Sequence, residues 1–310
     1  MPTSDGKIRV LAIAGGGIRG IIPAYVLREI EAKTGKKISE LVDMVCGTST
    51  GGILTSALTK PSPLTANQTL NLYLNRGREI FNRSWWQKVR NLGKTVGPKY
   101  DGKGLTRVLS ETFGDQILEN ATVPTFLTAY AIEKREPIFF KSWVPSGANR
   151  LLRDVCLATS AGPTYFPPAN VNGDWYWDGG VINNNPSLSG VIEACMKYQV
   201  HTRDCLVLSL GTGVNEGPID HKKALGWGDL GVVGPLLDVC MDGVSELTHY
   251  QMCDLMPDQN YLALQTALLD ENASMDSTEP QNLGVLIAKA QELVDSNSGR
   301  LADFCDRLKG

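Results

Sequence analysis

Histidine is scarce in this chain: His201, His221 and His249 are the only three in 310 residues. A serine hydrolase of the usual triad type presents its histidine on a glycine-marked loop at a strand end. None of the three has that setting. His201 lies in the polar stretch "YQVHTRD", His221 in the charged stretch "GPIDHKK", and His249 in the helical pattern "SELTHYQ". An excess of basic residues is also missing. The net charge of −3 leaves no general positive field for nucleic acid, which is excluded as a main partner. No apolar run approaches the ~18 residues of a membrane-spanning helix, so membrane contact is expected to be peripheral. The apolar run near the N-terminus is too short for a signal segment, and the expected location is cytoplasmic. The seven cysteines are scattered and odd in number, without C-x-x-C spacing. They read as buried reduced thiols, with no metal site and no disulfide framework. Internal repeats and low-complexity tracts are absent as well.

What the chain does have is alternation. "IRVLAIA" (8–14) suits a strand buried on both faces, and "IIPAYVLREIEAK" (21–33) returns to a helical period closed by Thr34 and Gly35. "LVDMVC" (41–46) reads as a second strand and "TGGILTSALT" (50–59) as the helix after it. Such strand–helix alternation predicts an α/β fold with a parallel sheet covered by helices. Strands are further expected over 125–132 and 137–143, joined by the turn "EKRE", and over 204–213. Helices are expected over 151–161 and 186–198, the second with Asn185 as N-cap and Pro186 in its first turn. The seam falls near residue 214. Residues 1–213 form the expected core, and 214–310 a C-terminal helical part of the same domain that is a candidate cap or regulatory region.

The chemistry concentrates in three glycine-marked motifs. Gly47-Thr48-Ser49-Thr50-Gly51 is a G-x-S-x-G sequence between a predicted strand and a predicted helix. There the serine sits on a sharp turn whose flanking glycines admit crowded backbone, and the helix N-terminus favours negative charge beside the hydroxyl. Ser49 is the candidate nucleophile. A serine hydroxyl needs a base, and with the histidines poorly placed the better candidate is Asp178 in "WYWDGGVINNNP". Gly179 and Gly180 lift it to a turn, and the neighbouring tryptophan and tyrosine side chains would desolvate its carboxylate and raise its basicity. The plainer reading is a turn aspartate bonded to its own backbone.

The third motif, "AIAGGGIRG" (12–20), fits a dinucleotide fingerprint as Gly15-x-Gly17-x-x-Gly20. That reading needs a free acidic residue at the end of the second strand. Asp43 falls inside the strand, which ends in the serine turn instead. If the first two strands are neighbours, the loop and Ser49 emerge at one sheet edge. The amides of Gly16 and Gly17 would then face a carbonyl under attack, with Arg19 bracing the loop or adding positive charge.

Taken in order, Gly15-Gly16-Gly17-Ile18-Arg19-Gly20, Gly47-Thr48-Ser49-Thr50-Gly51 and Asp178-Gly179-Gly180 resemble the signature blocks of patatin-like phospholipases, with "ATSAGPTYFPP" (158–168) and "SLGTG" (209–213) as supporting blocks. Gly162 stands where alanine is expected. The resemblance implies a three-layer α/β/α fold with a mainly parallel central sheet. It implies a serine acyl hydrolase cleaving phospholipid esters through an acyl-enzyme, with Ser49 as nucleophile, Asp178 as base and Gly15–Gly20 as oxyanion loop. No cofactor is implied.

Residues 76–99 carry seven basic side chains against one acidic, with aromatics interleaved. Arg83, Trp85, Trp86, Lys88 and Arg90 are the candidate contacts to a membrane surface on the inner face, or to an anionic regulator. Residues 226–265 loosely resemble bacterial patatin-like effectors switched on by cyclic nucleotides in antiphage defence, so a cyclic nucleotide is a candidate activator. The oligomeric state is left open. The competing readings are a hydrolase using Ser49 with His201 or His249, a dinucleotide-binding regulator built on Gly15–Gly20, and a non-catalytic lipid-binding protein.

Overall fold

A computed structural model describes residues 6–82, 97–144, 149–219, 221–226, 228–269 and 272–309. Arg83, Trp85, Trp86, Lys88 and Arg90 lie outside the described residues. Strand β1 (Ile8–Ile13) leads through a 3-10 turn (Gly17–Gly20) into α1 (Ile21–Thr34), which Gly35 ends in the left-handed conformation at φ 69°. Next come α2 (Ile38–Leu41), β2 (Met44–Gly47), α3 (Thr50–Thr59) and α4 (Ala66–Ile80). The short α2 was not foreseen. It takes up Leu41 and delays the second strand to Met44, so Asp43 precedes that strand instead of lying within it. Helix α5 (Lys103–Phe113) is followed by the hairpin β3 (Thr125–Ala131) and β4 (Glu136–Lys141), then α6 (Leu152–Thr159), β5 (Ala169–Val171) and β6 (Asp174–Asp178). The chain continues through α7 (Gly180–Asn183), α8 (Ser187–Tyr198), β7 (Cys205–Leu210), β8 (Val214–Asn215), α9 (His221–Leu225) and the long α10 (Asp229–Leu255). It closes with β9 (Tyr261–Leu264), β10 (Ala267–Leu268), α11 (Pro280–Ser296) and α12 (Ser298–Lys309). Pro186 takes the cap position of α8 that the sequence suggested for Asn185, whose side chain accepts the Ser187 amide at 3.1 Å from one residue further out.

The central sheet is mixed and mainly parallel. β1 pairs in parallel with β2 on one side and β7 on the other, and β9 extends the sheet beyond β7. β1 is apolar throughout because both of its faces are covered. Leu11 and Ile13 enter the core beneath α1 and α11, while Val10 and Ala12 point to the layer formed with α8. The two layers of helices and the sheet between them make the three-layer α/β/α architecture.

One piece of topology positions the site. β4 pairs along β3 from Phe126 to Ala131, so β2 and β6 share the opposite edge of β3. β2 arrives parallel and ends with Gly47 opposite Leu127, while β6 arrives antiparallel and ends with Asp178 opposite Ala129. The C-terminal ends of β2 and β6 therefore meet head to head. Ser49, two residues past Gly47, and Asp178 are brought together although they lie far apart in the chain.

Among the described residues all seven cysteines are free. Cys46, Cys156, Cys205 and Cys305 are buried as expected, whereas Cys240 and Cys253 are exposed on α10. No described helix is long and apolar enough to cross a membrane, and no described cluster of histidine, cysteine or carboxylate side chains could hold a metal ion.

Candidate active site

Ser49 caps α3 with φ 54° and ψ −123°, a conformation that a residue bearing a side chain adopts only when its surroundings impose it. The imposing contacts are visible. The Ser49 amide donates to Thr159 Oγ1 at 2.9 Å, and the Thr48 hydroxyl donates to the Asn183 carbonyl at 2.7 Å while contacting Thr128 Oγ1 at 2.8 Å. Side chains cannot be accommodated at the flanking glycines. A Cβ on Gly51 would strike the Ile13 carbonyl, and one on Gly47 the Gly51 carbonyl. This close backbone crossing makes the turn sharp and leaves the hydroxyl at the floor of a cleft, with the residue 7% exposed.

Asp178 lines the same cleft and is 4% exposed. Burial pushes its carboxyl up to about 7, against the Ser49 hydroxyl and the Gly180 amide, both of which favour the ionised form. The Gly180 amide donates to Oδ1 at 2.7 Å, so the plain turn-aspartate reading is also realised, with one oxygen engaged by its own turn. The Ser49 hydroxyl is a hydrogen-bonding neighbour of the carboxylate. Of the aromatic neighbours expected to desolvate it, Tyr176 is buried. Trp175 is 43% exposed and Trp177 stacks on Tyr130 at 6.4 Å between ring centroids. The backbone of residues 161–162 and Met241 of α10 also close around it. The Ala161 carbonyl accepts the Asp178 amide at 3.0 Å, and Met241 lines the cleft over Gly180.

The glycine loop stands over the same floor, and its members differ in what they offer. The Gly15 amide donates to the Asn184 carbonyl at 3.1 Å and the Arg19 amide to the Gly16 carbonyl at 3.2 Å, so neither is open to a ligand. The amides of Gly16 and Gly17 make no hydrogen bond among the described residues, and both residues line the cleft with Ser49. Gly17 has φ +60° and lies against the Met275 carbonyl, a position that only glycine fills without strain. Gly20 packs on the Thr50 side chain and Gly179 on Thr128. Arg19 does not itself line the cleft, although Asp238 beside it does. It is buried, donates from Nη1 to the Ala273 carbonyl at 3.2 Å, and is faced by Asp238 and Asp242 of α10. Burial lowers its pKa and those two carboxylates oppose the shift. Of its two anticipated roles, bracing matches this position.

The histidines are elsewhere. His201 and His221 are exposed, and His249 contacts the Tyr261 hydroxyl at 3.1 Å in a separate cavity beyond β7 and β9. Asp43 holds Arg9 through two bonds of 2.9 Å and is not free for a ribose, which removes the support for a dinucleotide site. Sequence reading missed several supporting side chains. Thr159 holds the Ser49 amide, Thr212 donates to the Gly15 carbonyl at 2.6 Å, and Leu237 and Met241 of α10 roof the cleft. The first two sit in the blocks "ATSAGP" and "SLGTG", where the signal was present without an assigned purpose.

The cleft is open to solvent. Apart from Ser49, Asp178 and the loop amides, its walls are mostly apolar: Ile53, Ile80, Phe81, Leu105, Phe166 and Leu237. Such a wall suits a hydrocarbon chain.

A strand–turn–helix serine, a buried carboxylate and open loop amides share one cleft at the carboxyl edge of a mainly parallel sheet, an arrangement of the α/β hydrolase class, and no histidine is among the described residues that line it. The model of the patatin-like phospholipase family matches residues 11–189, and the chain belongs to that family. It is 31% identical to Patatin-like protein 2 of Arabidopsis thaliana, covering 97% of this chain and 86% of that one. It is 30% identical to Patatin-1-Kuras 2 of Solanum tuberosum, covering 93% and 86% respectively. Among solved structures, VipD from Legionella pneumophila aligns over 95% of this chain and 68% of its own, at 12% identity and a TM-score of 0.42. The family makes this protein a lipid acyl hydrolase.

Proposed function

We propose that the enzyme cleaves acyl esters of membrane phospholipids with Ser49 as nucleophile and Asp178 as its base. The observation that carries this reading is the shared cleft floor, where a strained serine faces a carboxyl raised to about 7 by burial beneath two open amides. Ionised Asp178 takes the Ser49 proton as Oγ attacks the ester carbonyl. The negative charge that develops on the carbonyl oxygen is met by the Gly16 and Gly17 amides and by the N-terminal end of α3. Asp178 then returns the proton to the departing lysophospholipid oxygen as the carbon–oxygen bond breaks, leaving an acyl-Ser49 ester. Water adds to that ester with Asp178 again accepting its proton, the acyl–Oγ bond breaks as Asp178 returns that proton to Ser49 Oγ, and the fatty acid leaves. A carboxyl near 7 suits both directions of proton transfer.

Helix α10 serves as a cap in this reading, since Leu237 and Met241 roof the cleft. Residues 214–310 thus contribute both a roof and, through β9, a strand of the sheet. Docking on a membrane through Trp85 and Trp86 rests on the basic, aromatic composition of residues 76–99 alone. Activation by a cyclic nucleotide in antiphage defence rests only on the resemblance of residues 226–265 to such effectors.

The test is fatty-acid release from vesicles of phosphatidylcholine with phosphatidylglycerol, with and without a panel of cyclic dinucleotides. Release by the wild type and none by Ser49→Ala is the expected result. Activity surviving in Ser49→Ala would remove the proposal, and activity indifferent to every nucleotide would remove the activator. Unchanged vesicle binding by the Trp85→Ala, Trp86→Ala double variant would remove the docking role.

A further inference from the structure

Buried polar groups in a folded protein are nearly always paired, and each exception calls for a reason. Among the buried side-chain groups that lack a hydrogen-bond partner in the described residues, only the Ser160 hydroxyl belongs to a residue lining the catalytic cleft. Its oxygen is buried, in a residue 7% exposed. The backbone around it is committed. The Ser160 amide reaches the Cys156 and Leu157 carbonyls at 3.2 and 3.3 Å, and the Ser160 carbonyl accepts the Gly162 amide at 2.9 Å. The chain therefore fixes the residue while its hydroxyl stays idle.

The segment that carries Ser160 runs beside Asp178. The Gly179 amide donates to the Thr159 carbonyl at 3.4 Å and the Asp178 amide to the Ala161 carbonyl at 3.0 Å, one on either side of Ser160 in the sequence. Asp178 Oδ1 holds the Gly180 amide, and a Cβ on Gly162 would stand 3.6 Å from Oδ2. Thr159, from the same segment, accepts the Ser49 amide. Ser160 is thus grouped with nucleophile and base, on a different segment from the Gly16 and Gly17 amides assigned to the carbonyl oxygen. The ester has a second oxygen, the alkoxy oxygen, which must take a proton as its bond to carbon breaks. No group besides Asp178 has yet been matched to it.

Resting on the Ser49–Asp178 reading, we propose that Ser160 is a third catalytic side chain, whose hydroxyl donates a hydrogen bond to the alkoxy oxygen while Asp178 passes that oxygen its proton. Deacylation retraces this path with water in the place of the alcohol. Turned about its Cβ–Oγ bond, the same hydroxyl accepts a hydrogen from that water as Asp178 takes the other. Ser160 itself neither gains nor loses a proton. An unpaired buried hydroxyl weakens the resting fold, and this one gains its partner when substrate enters.

Two esters of one fatty acid separate this role from a structural one: an alkyl ester, whose leaving oxygen needs a proton, and a p-nitrophenyl ester, whose phenolate leaves without one. In Ser160→Ala, kcat/KM for the alkyl ester should fall roughly 10–100-fold, the worth of one hydrogen bond to a group bearing charge. For the p-nitrophenyl ester the fall should be less than about threefold. The melting temperature should equal or exceed that of the wild type, since no bond of the resting protein is lost. Ser160→Cys, close in shape and a weak donor, should lie between the two proteins on the alkyl ester. Fluorophosphonate labelling of Ser49 should proceed in Ser160→Ala within about threefold of the wild-type rate, because fluoride departs without a proton from Asp178. Alkyl-ester turnover within about twofold of wild type in Ser160→Ala overturns the proposal. So do equal losses on the two esters, labelling that falls in step with turnover, or a loss accompanied by a lower melting temperature in both variants. A wild type that is not labelled at Ser49 would remove the reading beneath the proposal, and the proposal with it.

Discussion

Asp178 ends a strand that runs head-on toward the strand ending before Ser49, both held against one edge of β3. That meeting brings the carboxylate and the serine to one cleft. Because burial is the largest influence on Asp178, and raises its pKa to about 7, activity should follow the ionised carboxylate. We expect kcat/KM for a soluble ester to rise with pH through a single limb with its midpoint near 7. A limb near 4, or a flat profile from 5 to 8, would place the base elsewhere.

The same burial bears on stability, with a definite sign. An acid whose folded pKa lies above its unfolded value keeps a proton that the unfolded chain has released, so stability falls as pH rises from about 4 to about 7. Asp178→Asn removes the ionisable group and keeps an oxygen for the Gly180 amide. It should abolish most turnover while raising the melting temperature at pH 8, by ~2–4 °C for each kcal/mol recovered, with little change at pH 4. Thermal melts at the two pH values measure this.

The loop glycines can be tested one by one. Gly17→Ala forces a side chain into a left-handed backbone and against the Met275 carbonyl, displacing an open amide. We expect kcat to fall by ~10²–10³. Arg19→Met leaves those amides in place but removes the brace to the Ala273 carbonyl, so its main effect should appear in thermal stability.

Thr159 supplies the acceptor for the Ser49 amide. Thr159→Val keeps the shape and strands that amide in the protein, at a cost of about 1–3 kcal/mol. Because the strained turn depends on the bond, the variant should lose kcat more than affinity, whereas Thr159→Ser should retain most of both.

Replacing His201 and His249 together by alanine should leave kcat within about twofold, since neither lies in the cleft. Loss of turnover with the fold intact would revive a histidine-dependent mechanism.

How much of this was legible in the sequence depends on the range of the signal. The strand over 8–14, the helix over 50–59, the serine turn and the Asp178 turn are local patterns of apolar period and glycine, and all can be read from a few consecutive residues. The juxtaposition of Ser49 and Asp178 is not local. It follows from β4 occupying the far edge of β3, which no spacing in the sequence announces. Likewise which of the aromatic neighbours would be buried with Asp178 was not legible, because side chains alternate along a strand and distant contacts decide which face is closed. The roof over the cleft was hidden for a similar reason. Helix α10 has apolar residues on two faces, and its sequence does not reveal which face looks inward.

The account is most directly tested by labelling with a fluorophosphonate and locating the adduct by peptide mass spectrometry. It predicts one modified residue, Ser49, at a rate that rises through pH 7 and falls at least ~10²-fold in Asp178→Asn. Labelling at another residue, or equal labelling in the two proteins across that pH range, would contradict it.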